Sequence, residues 1–296
     1  MYCACGSVLV GVAQLGAVYA GADVAPNLRL ASEIAMRVLV TFAVDAEFAP
    51  WRRRREFETV RVDDAMVFCL QLSGAEVNVL LTGIGDSSAS VLGLQMSSLS
   101  AGQGFDVCIS SGLAGALRAE HVAGDILAAR QVRSHIVHAD AGTDTLECDH
   151  ELVSVAEACG AKTVGSFYMA DHIVVTSSEK ARLSTLADAV DMESFDLVKE
   201  AYAWGARAVA IRAISDNSGE DLPVDFNLAL TGKGDISLGR IAGQALRHPK
   251  SVKGLLKLGR QSRKAAEALA DFLEQYIPKL TQLDNAEAIQ RKAVQA

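Results

Sequence analysis

The stretch "AVDMESFDLVKEAYAWGARAVAIRAISD", Ala189 to Asp216, decides the fold. An apolar approach (Ala189, Val190) meets an Asp-Met-Glu-Ser cluster. Phe195, Val198, Ala201 and Tyr202 then recur at three- and four-residue spacing, which predicts an amphipathic helix. The β-branched, apolar run "RAVAIRAIS" (207–215) that follows predicts a strand. A helix feeding straight into a strand is the repeating unit of an α/β chain. Two acids mark its junctions. Glu193 stands where the helix opens, a position that favours negative charge, so a capping acid is its simplest reading. Asp216 comes directly after the strand.

Working outward, "VLVTFAV" (38–44), "VNVLLTG" (77–83), "DVCISSG" (106–112), "GDILAAR" (124–130) and "HIVVTS" (172–177) read as further strands. "ASVLGLQMSSLSAG" (89–102) and "ELVSVAEACGA" (151–161) read as helices between them. The alternation predicts a single three-layer α/β domain, with a central mixed, largely parallel sheet flanked by helices. It would run from Met36 to Ile277, include a basic helical region over 240–277, and leave 278–296 as a fraying tail. Residues 1–35 read as an ill-ordered extension or an upstream miscalled start. Their apolar run "SVLVGVAQLGAVYAGA" faintly resembles an export signal, but no Lys or Arg precedes it.

Half of the 296 residues are hydrophobic, enough for a sizeable core, and the net charge of −8 argues against a dedicated nucleic-acid binder. The six cysteines show no paired spacing, which points to free thiols in a reducing, cytoplasmic compartment.

In α/β sheets chemistry gathers at the carboxyl ends of strands. The first strand ends at Asp45 and Glu47, and the second in "TGIGDSSAS", a turn carrying Gly83, Gly85 and Ser88. The third ends in "SSGLAGAL" with Ser111, Gly112 and Gly115, and the last in Ser215 and Asp216. A dinucleotide fingerprint would need an acid after the next strand, and Asp106 precedes its strand. His135, His138 and His150 with Asp140 and Cys148 could suggest a metal, but "RSHIVHAD" reads as a strand, where residues three apart point to opposite faces. Neither a metal nor an organic cofactor is expected. No Gly-x-Ser-x-Gly elbow is present for a hydrolase of that class.

In order, "VLVTFAVDAEF", "TGIGDSSAS", "SSGLAGALRAEHVAGDILAAR", "VDMES" and "RAISDNS" resemble the motifs of the nucleoside phosphorylase and nucleosidase superfamily. That superfamily includes purine nucleoside phosphorylases and methylthioadenosine/S-adenosylhomocysteine nucleosidases. The resemblance implies cleavage of the N-glycosidic bond of a purine nucleoside. Glu193 and Met192 would hold the ribose, Asp216 would protonate the leaving base, and Glu47 would activate water. Gly83, Gly85, Ser88, Ser111, Gly112 and Ser215 would line the substrate site. The phosphorolytic branch carries a Gly-Asp-Pro turn with an Arg after strand one, and an Arg on strand three. Here "FAVDAE" and Ser110 stand in those places, which favours water over inorganic phosphate as co-substrate. The Arg52–Arg55 run is a further candidate phosphate site, or a solvated face. The resemblance also implies a homodimer or larger homo-oligomer.

"VVTSSEKARLSTLADAVDMES" and the stretch from "LPVDFNLAL" to "LGRQSRKAAEALADFL" look similar to hopanoid-associated nucleoside phosphorylases, which act on a nucleoside joined to a triterpenoid lipid. Methylthioadenosine nucleosidases place an aromatic residue near the position of Ala181, and none is present. Lys250, Lys253, Lys257, Arg260 and Lys264 fall on one helical face within 247–264, which carries no acid. That segment reads either as a solvated helix packed on the domain or as a peripheral contact with the inner membrane face. A nucleoside-binding module without activity and a membrane-surface scaffold are the readings outside enzymology.

Overall fold

The computed structural model describes residues 36–62, 65–85, 104–138, 142–231 and 236–294. The extension expected at 1–35, Ser88, Asp140 and the helix expected over 89–102 lie outside them. The strands are β1 (Met36–Phe42), β2 (Glu58–Val62), β3 (Ala65–Leu72), β4 (Ala75–Leu81), β5 (Val107–Ala116), β6 (Ile126–His138), β7 (Gly142–Glu147), β8 (Lys162–Met169), β9 (Ala189–Asp191) and β10 (Arg207–Asp216). The helices are α1 (Asp45–Arg52), α2 (His150–Ala158), α3 (Ser177–Leu183), α4 (Ser194–Ala203), α5 (Leu238–Arg247) and α6 (Ser251–Val294).

The sheet is mixed. Its heart is the parallel run β4-β1-β5-β10, with Val40 level with Val79 on one side and Ile109 on the other. Residues 38–42 of β1 are all buried, as expected of a strand covered on both faces. Antiparallel β3 and β2 extend one edge. At the other, β5, β10, β6, β8 and β9 pair in sequence and β9 returns to β5, which closes a small barrel within the larger sheet. Helices α4 and α6 pack against β10, and α6 also covers α1. Phe42, Phe48, Trp51 and Phe57 make tilted and edge-on ring contacts beneath α1.

The opening stretch folds as its pattern demands, with one exchange of roles. In α4, Phe195, Leu197, Val198 and Ala201 are buried, whereas Tyr202 faces outward and donates its hydroxyl to the Glu147 carbonyl (2.7 Å). The capping is done by Asp191, whose Oδ1 accepts the N–H groups of Glu193 (3.2 Å) and Ser194 (3.1 Å). Glu193 makes no cap bond, so its carboxylate is free for other work.

Two expectations fail for identifiable reasons. "HIVVTS" is no strand. The Ile173 backbone bonds a side chain instead: Asn227 accepts the Ile173 N–H (2.8 Å) and donates to the Ile173 carbonyl (2.9 Å). The strand of this region is β8, whose Gly165 and Ser166 dilute the β-branched signature. Nor does the chain fray at Pro278: α6 continues through it, with Leu280 and Thr281 buried and the Thr281 hydroxyl donating to the Ser73 carbonyl (3.1 Å).

Candidate active site

A cavity of about 220 Å³ opens at the carboxyl ends of the parallel strands, and Glu47, Glu193 and Asp216 all line it. Ser215 and Met192 join them, with Ile173, Val174, Phe226 and Leu258 among the apolar walls.

Glu47 lies in the first turn of α1 and folds back over the end of β1. Its Oε2 accepts the Ala43 N–H (2.9 Å) and, more weakly, that of Val44 (3.4 Å), while Oε1 accepts the Leu113 N–H from β5 (2.9 Å). Burial pushes its carboxyl above the usual range, against those backbone donors and the Arg212 charge. Glu193 Oε1 accepts the Gly85 N–H (3.1 Å), which ties this acid to the Gly-x-Gly turn. Burial, the Asp191 charge and Glu47 push Glu193 up to about 8. Beneath both acids Arg212 is fully buried, its Nε 2.9 Å from Asp191 Oδ2 and its Nη1 donating to the Ser110 carbonyl (2.6 Å). A carboxyl pushed upward by burial, beside a charged partner and in a cleft, marks a candidate functional site.

A raised carboxyl carries a stability consequence. Glu193 binds its proton more tightly folded than unfolded, so its contribution is fully present below pH 4.5 and is lost as pH rises towards about 8. Glu193→Gln is therefore expected to flatten the fall of melting temperature over that window, read by thermal unfolding from pH 5 to pH 9. A Tm difference between the two proteins that does not change with pH would contradict this.

Asp216 ends β10. Its Oδ1 accepts the Ser215 hydroxyl (2.6 Å) and its Oδ2 accepts the ammonium of fully buried Lys180 (2.5 Å). Lys180 is not among the residues that the sequence marks as candidates.

β5 makes room for two of the acids. A Cβ at Gly112 would stand 3.3 Å from both Glu47 carboxylate oxygens, and one at Gly115 3.1 Å from Asp216 Oδ2. Gly112 also holds φ +150°, which an L side chain rarely adopts. Gly112→Ala is expected to displace Glu47 and lower kcat by about 10- to 100-fold, since small misplacements cost that much. Wild-type kcat in a folded Gly112→Ala protein would separate Glu47 from the chemistry.

Other sequence candidates land elsewhere. Ser111 is buried beside β1 and donates to the Thr41 carbonyl (2.7 Å), so it braces the sheet and is not part of the cavity wall. Gly83 shapes the turn, its N–H donating to the Ala43 carbonyl (2.9 Å), and Gly85 packs near Met192 Cε. Ala181 is exposed on α3 and lies outside the cavity, whose lining includes Phe226 and Ile173. Arg52 pairs with Asp45, Arg54 with Asp271 and Arg55 with Glu274, and none of Arg52–Arg55 lines the cavity. The basic face of α6 is divided: Lys257 donates to Glu220 (2.8 Å) and Lys264 leans on the Ala123 carbonyl (3.4 Å). Among the described residues no helix is long and apolar enough to cross a membrane.

Residues 37–243 match the family model of the Phosphorylase superfamily. The chain belongs to the phosphorylase superfamily. A 5'-methylthioadenosine/S-adenosylhomocysteine nucleosidase of Chromohalobacter salexigens is 30% identical over 176 residues, 52% of this chain and 73% of that protein. Its counterpart in Shewanella halifaxensis is 29% identical over 177 residues, 53% of this chain and 75% of that one. Among solved structures, the Helicobacter pylori 5'-methylthioadenosine/S-adenosylhomocysteine nucleosidase with butyl-thio-DADMe-Immucillin-A superposes with a TM-score of 0.64 at 19% identity, covering 83% of this chain and all of that one. A Helicobacter pylori futalosine hydrolase mutant gives 0.63 at 18%, covering 82% and 99%. At those identities the structures speak to the fold. Within the phosphorylase superfamily, this chain is an enzyme of N-glycosidic bond cleavage.

Proposed function

We propose that the protein hydrolyses the N-glycosidic bond of a purine nucleoside or a 5'-substituted derivative. The observation that carries this is the meeting of three acids in one cavity, Glu47, Glu193 and Asp216, although they come from α1, the start of α4 and the end of β10. Glycosidic cleavage passes through a cation-like sugar, so carboxylates beside the ribose stabilise the charge that develops. Glu193, with Met192 against the sugar face, takes the ribose hydroxyls. Asp216 gives its proton to the purine N7, and the base departs neutral. Glu47, held by three backbone N–H groups, takes a proton from the attacking water. Water is favoured over phosphate because the Arg52–Arg55 run faces away and Arg212 is spent on Asp191. The relatives named as nucleosidases add weight on the same side.

The test is incubation with adenosine, 5'-methylthioadenosine and inosine, with and without inorganic phosphate, identifying the base and the sugar released. Free base and free sugar in phosphate-free buffer are expected. A strict need for phosphate, with sugar phosphate as product, would replace hydrolysis by phosphorolysis.

One observation favours a second reading, in which the 5' substituent is a lipid and the enzyme works at a membrane surface. α5 buries no residue, and Leu238 and Leu246 are 79% and 82% exposed, close in sequence to Ile236 of the cavity wall and to Arg247, Lys250 and Lys253. An apolar strip flanked by cations suits an anionic bilayer. On this reading the protein sediments with anionic vesicles at low salt, and Leu246→Ser with Lys250→Gln and Lys253→Gln releases it. Protein that stays in the supernatant returns the substrate to a small soluble nucleoside.

A further inference from the structure

Lys180 is a buried charge placed against the base-side acid, and its surroundings are complete. It is 0% exposed, and its ammonium donates to Asp216 Oδ2 (2.5 Å), the Asn217 carbonyl (2.9 Å) and the Glu220 carbonyl (3.0 Å). All three of its N–H bonds are therefore used. Lysine is almost never fully buried unless paired, and taking such a pair out of water is costly. Fastening α3 to the 217–222 loop does not need that cost. The Leu222 N–H already donates to the Val175 carbonyl (2.8 Å), and Asp221 accepts both the N–H and the hydroxyl of Ser177 at the exposed rim (2.7 Å each). The charge sits instead where a leaving group would be protonated.

We propose that Lys180 is a positioning residue for departure of the base: it fixes the Asp216 carboxyl towards the cavity and stabilises the carboxylate left when its proton has gone. The inference rests on the glycosidic-cleavage reading above. In that step the bond between the sugar carbon and the base nitrogen breaks and its electron pair goes to the purine. The proton that moves to N7 is the one carried by the Asp216 carboxyl. Asp216 is left negative beside the Lys180 ammonium, which neither gains nor loses a proton. The Ser215 hydroxyl on Oδ1 (2.6 Å) holds the other oxygen, so rotation of the carboxyl is restrained at both ends. A fixed ammonium that needs no reorganisation as charge appears is the arrangement that lowers a barrier most effectively.

The experiment follows cleavage of whichever of adenosine, 5'-methylthioadenosine and inosine the unmodified protein turns over fastest. It compares Lys180→Met, Asp216→Asn and the double variant. Lys180→Met is expected to lower kcat by about tenfold or more with KM within about twofold, the signature of a lost transition-state interaction. Added to Asp216→Asn it is expected to cost nothing further, because groups that act as a unit are not additive. An unchanged kcat in Lys180→Met, a loss confined to KM, or an equal fold-loss in both backgrounds overturns the inference. Where Lys180→Met does not fold, Lys180→Gln, which keeps a donor without the charge, is judged by the same criteria. Cleavage of no purine nucleoside by the unmodified protein removes the cleavage reading and this inference together, whereas normal cleavage with additive losses removes Lys180 alone.

Discussion

Asp216→Asn is expected to lower purine release by about 10²- to 10⁴-fold, the usual worth of a general acid. Nucleoside binding should change little, because the amide keeps the shape of the carboxyl and its bond to Ser215. The effect belongs in kcat, measured by release of the base under saturating nucleoside. The variant also carries a structural cost. Lys180 would be left as a fully buried ammonium with two carbonyls and no counter-charge. Breaking a buried pair from one side typically costs about 3–5 kcal/mol. A lower melting temperature should therefore accompany the lost turnover, and the double variant with Lys180→Met should recover part of it. Wild-type turnover in Asp216→Asn would remove Asp216 from the mechanism.

Glu47→Gln is the second large effect. An amide cannot take a proton from water, so loss of the base should cost about 10²- to 10⁴-fold in kcat. Both Glu47 oxygens already accept backbone N–H groups, from Ala43 and from Leu113, at 2.9 Å each. The Gln side chain has one oxygen and must turn its NH2 towards one of these donors. That leaves a backbone N–H without its acceptor, a penalty of about 1–3 kcal/mol, set against relief from burying a charge. A modest change in melting temperature with a large loss of kcat is the expected pattern. Equal turnover by wild type and Glu47→Gln would assign water activation elsewhere.

The parallel heart of the fold was legible because burial on both faces writes a continuous apolar run, as in "VLVTFAV" and "RAVAIRAIS". The acids were legible because Glu47, Glu193 and Asp216 each follow such a run directly, where a strand ends and a loop or helix begins. β8 was missed because Gly165 and Ser166 interrupt its apolar alternation, and "HIVVTS" was misread because Asn227, more than fifty positions away, supplies the bonds a neighbouring strand would. Lys180 has no local signature. Its meaning lies in a partner 36 positions on, and only packing brings the two together. Leu258 and Ser262 of α6 reach the cavity in the same way, from a helix whose basic residues give the segment a solvent-facing pattern. Periodicity reports which face of an element is buried. It does not report what that face meets.

The proposed reaction turns on water, activated by Glu47, attacking a ribosyl cation held among three acids. Turnover in heavy-oxygen water without phosphate tests it directly, with the mass of the sugar as the readout. The released sugar is expected to carry the heavy oxygen at the carbon that held the base, with free base in equal amount. Base release that occurs only when phosphate is added, giving a sugar phosphate without the label at that carbon, would contradict it.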